Sequence, residues 1–170
     1  DYENAKKYFK RLNKISKHNF LFEDFFGNIL LSWTKATENN QEASFEFLDK
    51  VPKRFTNLKL IQNSFLYCYF DIPKTEITFE KIIKKKDYSF SRYNFFLTNY
   101  LLFNNKIEKA KYVIKSAGEK YHSNLLIKQT EIFLLNNKSK KIKNYFNCKN
   151  PNDSLAEFFY VIANLYSGEK

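Results

Sequence analysis

A chain of 170 residues that is 44% hydrophobic and 19% aromatic carries too much apolar surface to be intrinsically disordered, and it is long enough for one domain. Three glycines and three prolines are too few for the closely spaced turns of a β-sandwich or barrel, and no apolar run approaches the roughly 20 residues that span a bilayer. The formal charge of +11 leaves two readings open. Lysine supplies 26 of the 29 basic residues, and lysine, asparagine, isoleucine, phenylalanine and tyrosine all have A/T-rich codons, so the excess reflects either genome composition or an anionic partner.

In chain order, Tyr2, Ala5, Phe9 and Leu12 form an apolar stripe at helical spacing and predict a helix over 1–16. Phe25 to Thr37 and Gln41 to Val51 read as a helical hairpin (25–51) that turns on Glu38-Asn39-Asn40 and is ended by Pro52. Leu58 to Phe70 and Lys74 to Lys86 read as a second hairpin (58–86), with Asp71-Ile72-Pro73 as its turn. SFLYCYF and EITFEKI have strand propensity, but without neighbouring hairpin turns helix is the better reading.

Tyr93, Phe96, Leu97, Tyr100 and Leu101 fall at i, i+3, i+4, i+7 and i+8, one face of a helix. Beyond Asn104-Asn105-Lys106 a second stripe follows, Ile107, Ala110, Ile114 and Ala117, with Gly118 where a helix C-terminus favours glycine. This is a third hairpin, 91–118. EIFLLNNKSKKI, beginning at Glu131, overlays YLLFNNKIEKA, beginning at Tyr100, with Asn136-Asn137-Lys138 falling on Asn104-Asn105-Lys106, and so predicts a fourth hairpin over 123–146. Pro151-Asn152-Asp153 then breaks the chain. Ser154 and Glu157 have capping-box spacing, and Phe159, Ile162, Ala163 and Tyr166 predict a last helix over 154–167.

Nothing in the sequence makes a catalytic constellation. There is no GxGxxG, P-loop or HExxH, so no cofactor or metal is implied, and His18 and His122 lie in inter-helix segments without a companion ligand. Cys68 and Cys148 match no metal spacing and imply no disulfide framework; Cys68, inside an apolar run, reads as a buried free thiol. Trp33 in ILLSW reads as core between helices rather than as an exposed anchor. Glu76 and Glu80 read as an ordinary i,i+4 pair on a helix face.

These stripes resemble the tetratricopeptide-repeat (TPR) family. Phe159, Ile162 with Ala163, and Tyr166 match the large, large-plus-small and tyrosine places of that family's first helix, and Ala5 and Phe9 match its second. Leu97 with Thr98, Leu101, Ala110, Ile114 and Ala117 fit the same pattern, whereas Ile142 stands where Ala43 and Ala110 have alanine. The resemblance implies an all-α fold, an α-α superhelix (solenoid) of TPR-like helical hairpins, filling 1–170 as a single repeat domain. A lone hairpin cannot bury its apolar face, so hairpins stack.

The resemblance further implies a protein-protein interaction scaffold, not an enzyme, that binds a peptide or partner protein in the concave groove lined by first helices. Arg92, Phe95, Asn99, Asn124, Glu131, Tyr160 and Asn164 fall at groove-lining places, and the lysines at 138, 140, 141 and 143 fall on a second helix, the outer face. A rival reading is a basic helical-repeat protein that binds RNA or DNA non-specifically. Asp1 begins a second helix with no first, and Lys170 ends a first helix with no second. The chain therefore reads as part of a longer array or, alternatively, as a complete protein whose ends cap one another between molecules; either way its apolar ends are expected to associate head to tail. Cytoplasm and periplasm both stay open.

Overall fold

The computed structural model of the chain describes Glu3, Asn4, Lys7, Tyr8, Arg11 and residues 22–85 and 91–168. The described residues are all-helical, without a strand. Eight helices have their bounds there: α1 (Asn28–Thr37), α2 (Gln41–Asp49), α3 (Thr56–Tyr69), α4 (Thr75–Ile83), α5 (Ser91–Phe103), α6 (Ile107–Lys120), α7 (Leu125–Leu135) and α8 (Pro151–Gly168). A π-helical turn, Phe22–Gly27, leads into α1. SFLYCYF and EITFEKI are helical, in α3 and α4.

One local device ends α1, α3, α5 and α7. Asn39, Asp71, Asn105 and Asn137 each take a left-handed conformation, with φ of 57°, 56°, 57° and 55°. Asparagine and aspartate tolerate that region better than other residues with a Cβ. The left-handed amide bonds the carbonyl three residues back and the next amide bonds the carbonyl five back, as in Asn39 to Ala36 and Asn40 to Lys35 (both 2.9 Å). The same pair closes α3, α5 and α7, where Lys106 reaches Leu101 at 2.8 Å and Lys138 reaches Phe133 at 2.7 Å. This is the Schellman motif, which satisfies carbonyls that a helix end leaves without partners.

Where the sequence pattern reads a single domain, the chain divides into two compact units. The first combines Asp1–Pro73 with Asn147–Lys170, and the second is Lys74–Phe146. The division falls between α3 and α4, which the pattern groups as one hairpin.

In the first unit α1 pairs with α2 across the Glu38–Asn40 turn, and Asn40 caps α2 by accepting from the Ala43 amide at 3.1 Å. Trp33 is fully buried, as expected; its Nε1 donates to Gln62 Oε1 of α3 at 2.7 Å, and Tyr69 meets the ring edge-on. Phe25 stacks on Phe55 at 3.8 Å and meets the buried Phe158 of α8 at 5.6 Å. Thus α8 packs on α1 and α3. A helix so late in the chain touching the first hairpin departs from the neighbour-only stacking of an open solenoid.

The cysteine reading needs correcting. Cys68, buried at the end of α3, is disulfide-bonded to Cys148, 80 residues on, with a Cα–Cα distance of 5.8 Å that suits a bridge. Next to it, Lys149 Nζ donates to the Tyr69 carbonyl at 2.9 Å and pairs with Asp71 at 2.5 Å.

The start of α8 also differs from expectation. The helix begins at Pro151, a residue whose missing amide costs nothing at a first helical position. Asn150 Oδ1 accepts from the Asn152 amide at 3.1 Å, and Asp153 Oδ2 accepts from the Asn147 amide at 2.8 Å. Ser154 is therefore inside the helix rather than its cap, fully buried, and its Oγ has no hydrogen-bond partner.

Of the apolar stripes expected at the termini, Tyr2, Ala5, Phe9 and the side chain of Tyr166 lie outside the described residues. Phe159 is half-exposed and stacks on Phe26 at 6.5 Å, so part of the C-terminal stripe is covered within this unit.

The second unit is built on the α5–α6 hairpin, in which Leu97, Thr98 and Leu101 face Ala110, Ile114 and Ala117, all buried. Small side chains let the two helices approach. Glu76 of α4 is no surface residue: its side chain is 11% exposed and accepts from Lys106 Nζ at 2.7 Å and from Lys109 Nζ, tying α4 to the start of α6. Gly118 lies within α6 rather than beyond it. A Cβ there would come 2.3 Å from a carboxylate oxygen of Glu131, so glycine makes room for the α7 side chain.

The expected hairpin over 123–146 forms only its first helix. After α7 a 3-10 turn, Ser139–Lys141, runs into irregular chain. Lysines at 138, 140, 141 and 143 repel one another at helical spacing. Asn144 and Asn147 draw the Phe146 and Lys149 amides into local turns at 3.2 and 3.0 Å, which compete with a helix.

Candidate functional site

The irregular segment after α7 is held by Phe146, which stacks on Phe96 of α5 at 4.3 Å. Its return across α5 and α7 leaves a concave cavity of about 480 Å³ inside the second unit. Phe95 of α5, 1% exposed, forms the floor with Leu126 and Phe133 of α7. Ile142 and Tyr145 close the far side, Tyr145 lying 6.2 Å from the Phe95 ring while staying 68% exposed. Gln129 and Thr130 add polar atoms, and the Thr130 hydroxyl is already donated to the Leu126 carbonyl at 2.7 Å.

One wall is basic. Lys140, Lys141 and Lys143 line the cavity and are exposed. No carboxylate among the described residues lies within ion-pair distance of these three, although Lys35, Lys59, Lys84, Lys106, Lys109, Lys111 and Lys149 are all paired. Round the helix from this face, and outside the cavity lining, Leu125, Ile132 and Leu135 of α7 are exposed at i, i+7 and i+10.

Of the seven residues expected to line a groove, five belong to the second unit and only Phe95 lines the cavity. The Arg92 guanidinium lies over the Phe96 ring at 5.4 Å. Asn99 donates its amide to the carbonyl of Phe95, one turn back in its own helix, at 3.2 Å. Asn124 caps α7, accepting from the Ile127 amide at 3.2 Å, and donates to Ser91 Oγ at 3.2 Å. Glu131 fills the space that Gly118 leaves.

Tyr160 and Asn164 belong to the first unit. Tyr160 is half-exposed, and Asn164 donates to the Tyr160 carbonyl at 2.8 Å. Asn99 and Asn164 thus each turn back onto their own helix.

The sequence pattern places the lysines at 138, 140, 141 and 143 on a second helix and an outer face, whereas Lys140, Lys141 and Lys143 line the cavity. The available signal was the pair of asparagines, Asn144 and Asn147, whose local turns break that helix. Among the described residues no group of three or more histidine, cysteine, aspartate or glutamate side chains could hold a metal ion, and no helix is long and apolar enough to cross a membrane. Comparison with protein-family models, curated proteins and solved structures finds no match to this chain.

Proposed function

We propose that this chain is a helical interaction module, a divergent relative of the TPR-like repeats, and that its Lys74–Phe146 unit receives a peptide segment of a partner protein. The observation that carries the reading is the cavity over Phe95. It has an aromatic floor, an open mouth and a size suited to one or two anchoring side chains. Its lining contains no histidine, thiol or carboxylate, which favours binding over catalysis.

The turns at residues 39, 71, 105 and 137, which recur every 32 to 34 residues, support the repeat ancestry. The missing second helix after α7 is what makes the difference to function. In a stacked array that helix would cover α7; here a shorter segment leaves room beside it.

Peptides selected from a random library against the whole chain test this. Gln129→Trp puts an indole into the cavity from an exposed position, and it should weaken the selected peptides by roughly tenfold, the effect of about 1.4 kcal/mol, while leaving the unfolding midpoint alone. Selected peptides that bind this variant and the parent equally would remove the cavity from the function.

A further inference from the structure

We infer that the segment received by this cavity is acidic and amphipathic: a carboxylate-bearing peptide whose apolar side chains seat on Phe95 and Phe133 while its anionic groups meet Lys140, Lys141 and Lys143. This rests on the peptide-binding reading above and names the chemistry of its ligand.

Charge distribution is the first support. Residues 74–146 carry 16 lysines and arginines against 6 aspartates and glutamates, a net of +10, whereas the other unit carries 13 against 12. Almost the whole excess of the chain therefore sits on the unit that holds the cavity. A codon bias acting evenly would charge both units alike.

The second support is local. The three wall lysines have no carboxylate partner among the described residues, and their mutual repulsion is relieved by an anion placed among them. Lysine ammonium groups on flexible stems meet carboxylates at varied positions without demanding one geometry, which suits a peptide rather than a single rigid ligand.

The apolar groups decide between a peptide and a nucleic acid. Leu126 and Ile142 in the cavity lining offer aliphatic surface that a polynucleotide has little to match. A helix bearing leucines on one face and glutamates on the other matches both the apolar lining and the lysine wall.

The probe is a fluorescein-labelled synthetic peptide with leucine at helical spacing and glutamate between. A second peptide has every glutamate replaced by glutamine, and a labelled single-stranded oligonucleotide is the third ligand. Anisotropy titrations use the whole chain, with Lys140→Gln, Lys141→Gln and Lys143→Gln combined in one variant; all three positions are exposed, and circular dichroism checks that the variant keeps its helix content.

The expected result is that the glutamate peptide binds roughly tenfold more tightly than its glutamine counterpart, that the triple variant erases this difference, and that added salt weakens only the glutamate peptide. Equal binding of both peptides, insensitive to the triple variant, would overturn the acidic ligand while leaving the peptide-binding reading intact. Binding of the oligonucleotide but of neither peptide, or of no probe at all, would also overturn it. The library selection above then decides separately whether the cavity binds peptides of another kind.

Discussion

Removing the Cys68–Cys148 bridge should markedly destabilise the first unit. The bond joins residues 80 apart, and the loop it closes contains the whole of the second unit in sequence. The chain-entropy estimate for such a loop is about 15 cal/mol/K, or about 4.5 kcal/mol at room temperature, and measured bridges more often deliver about 2–4 kcal/mol. Beside the bridge, the Lys149–Asp71 pair leaves the aspartate side chain 84% exposed, and a pair of that kind is worth about 1 kcal/mol at most.

Cys148→Ser is the cleaner variant, because Cys148 is only half-buried whereas Cys68 is in the core. Trp33, the single tryptophan and fully buried in the same unit, reports the transition by fluorescence in urea. The expected loss is about 2–4.5 kcal/mol, with a steeper transition, since the unbridged unfolded chain exposes more surface. An unchanged midpoint, or two free thiols titrated in the unfolded parent after oxidative purification, would refute the argument. Such a bond also needs an oxidising compartment to persist, so the yield of native chain should fall in a reducing host.

Gln62→Leu leaves the buried Trp33 Nε1–H without its acceptor and should cost about 1–3 kcal/mol by the same fluorescence assay. Glu76→Gln should destabilise the second unit by about 1–2 kcal/mol, measured by thermal circular dichroism; its lysine partners are 50% and 53% exposed and can return to water, so the cost stays below that of breaking a sealed pair. Asn105→Ala should cost about 1 kcal/mol, because alanine is strained at φ 57°, while Asn105→Gly should be close to neutral. Ser154→Ala removes a buried hydroxyl that has no partner, and should leave the urea midpoint unchanged or raise it by the equivalent of about 1 kcal/mol.

Helices were legible because their signals are local. The stripe of Leu97, Leu101, Ala110, Ile114 and Ala117 follows from spacing alone, and so do the asparagine pairs at which α1, α5 and α7 end. Position along the sequence says nothing, however, about contacts between residues far apart. The Cys68–Cys148 bond, the seat of Phe158 against Phe25 and the capture of Glu76 by Lys106 and Lys109 all join segments that no periodicity relates.

Asparagine was the most misleading residue, since one side chain serves three purposes here. It takes the left-handed turn at 39, 105 and 137, caps helices at 40 and 124, and bonds its own helix one turn back at 99, 104, 136 and 164. Register alone could not separate these uses from that of a groove wall.

The lysine excess poses the same problem in another form, and the fold offers a way through it. Counted over the whole chain, +11 is compatible with base composition and with an anionic partner alike. Divided between the units, it becomes +10 and +1, and the difference arises on both sides: Lys74–Phe146 is richer in lysine and poorer in acid. Codon usage acts on residues without regard to the unit they fold into. Self-repulsion in a unit of some seventy residues with this charge works against its own stability. That the unit keeps the charge in spite of that cost, and sets three lysines without a carboxylate partner among the described residues along an aromatic cavity, is what supports the proposal of an anionic ligand.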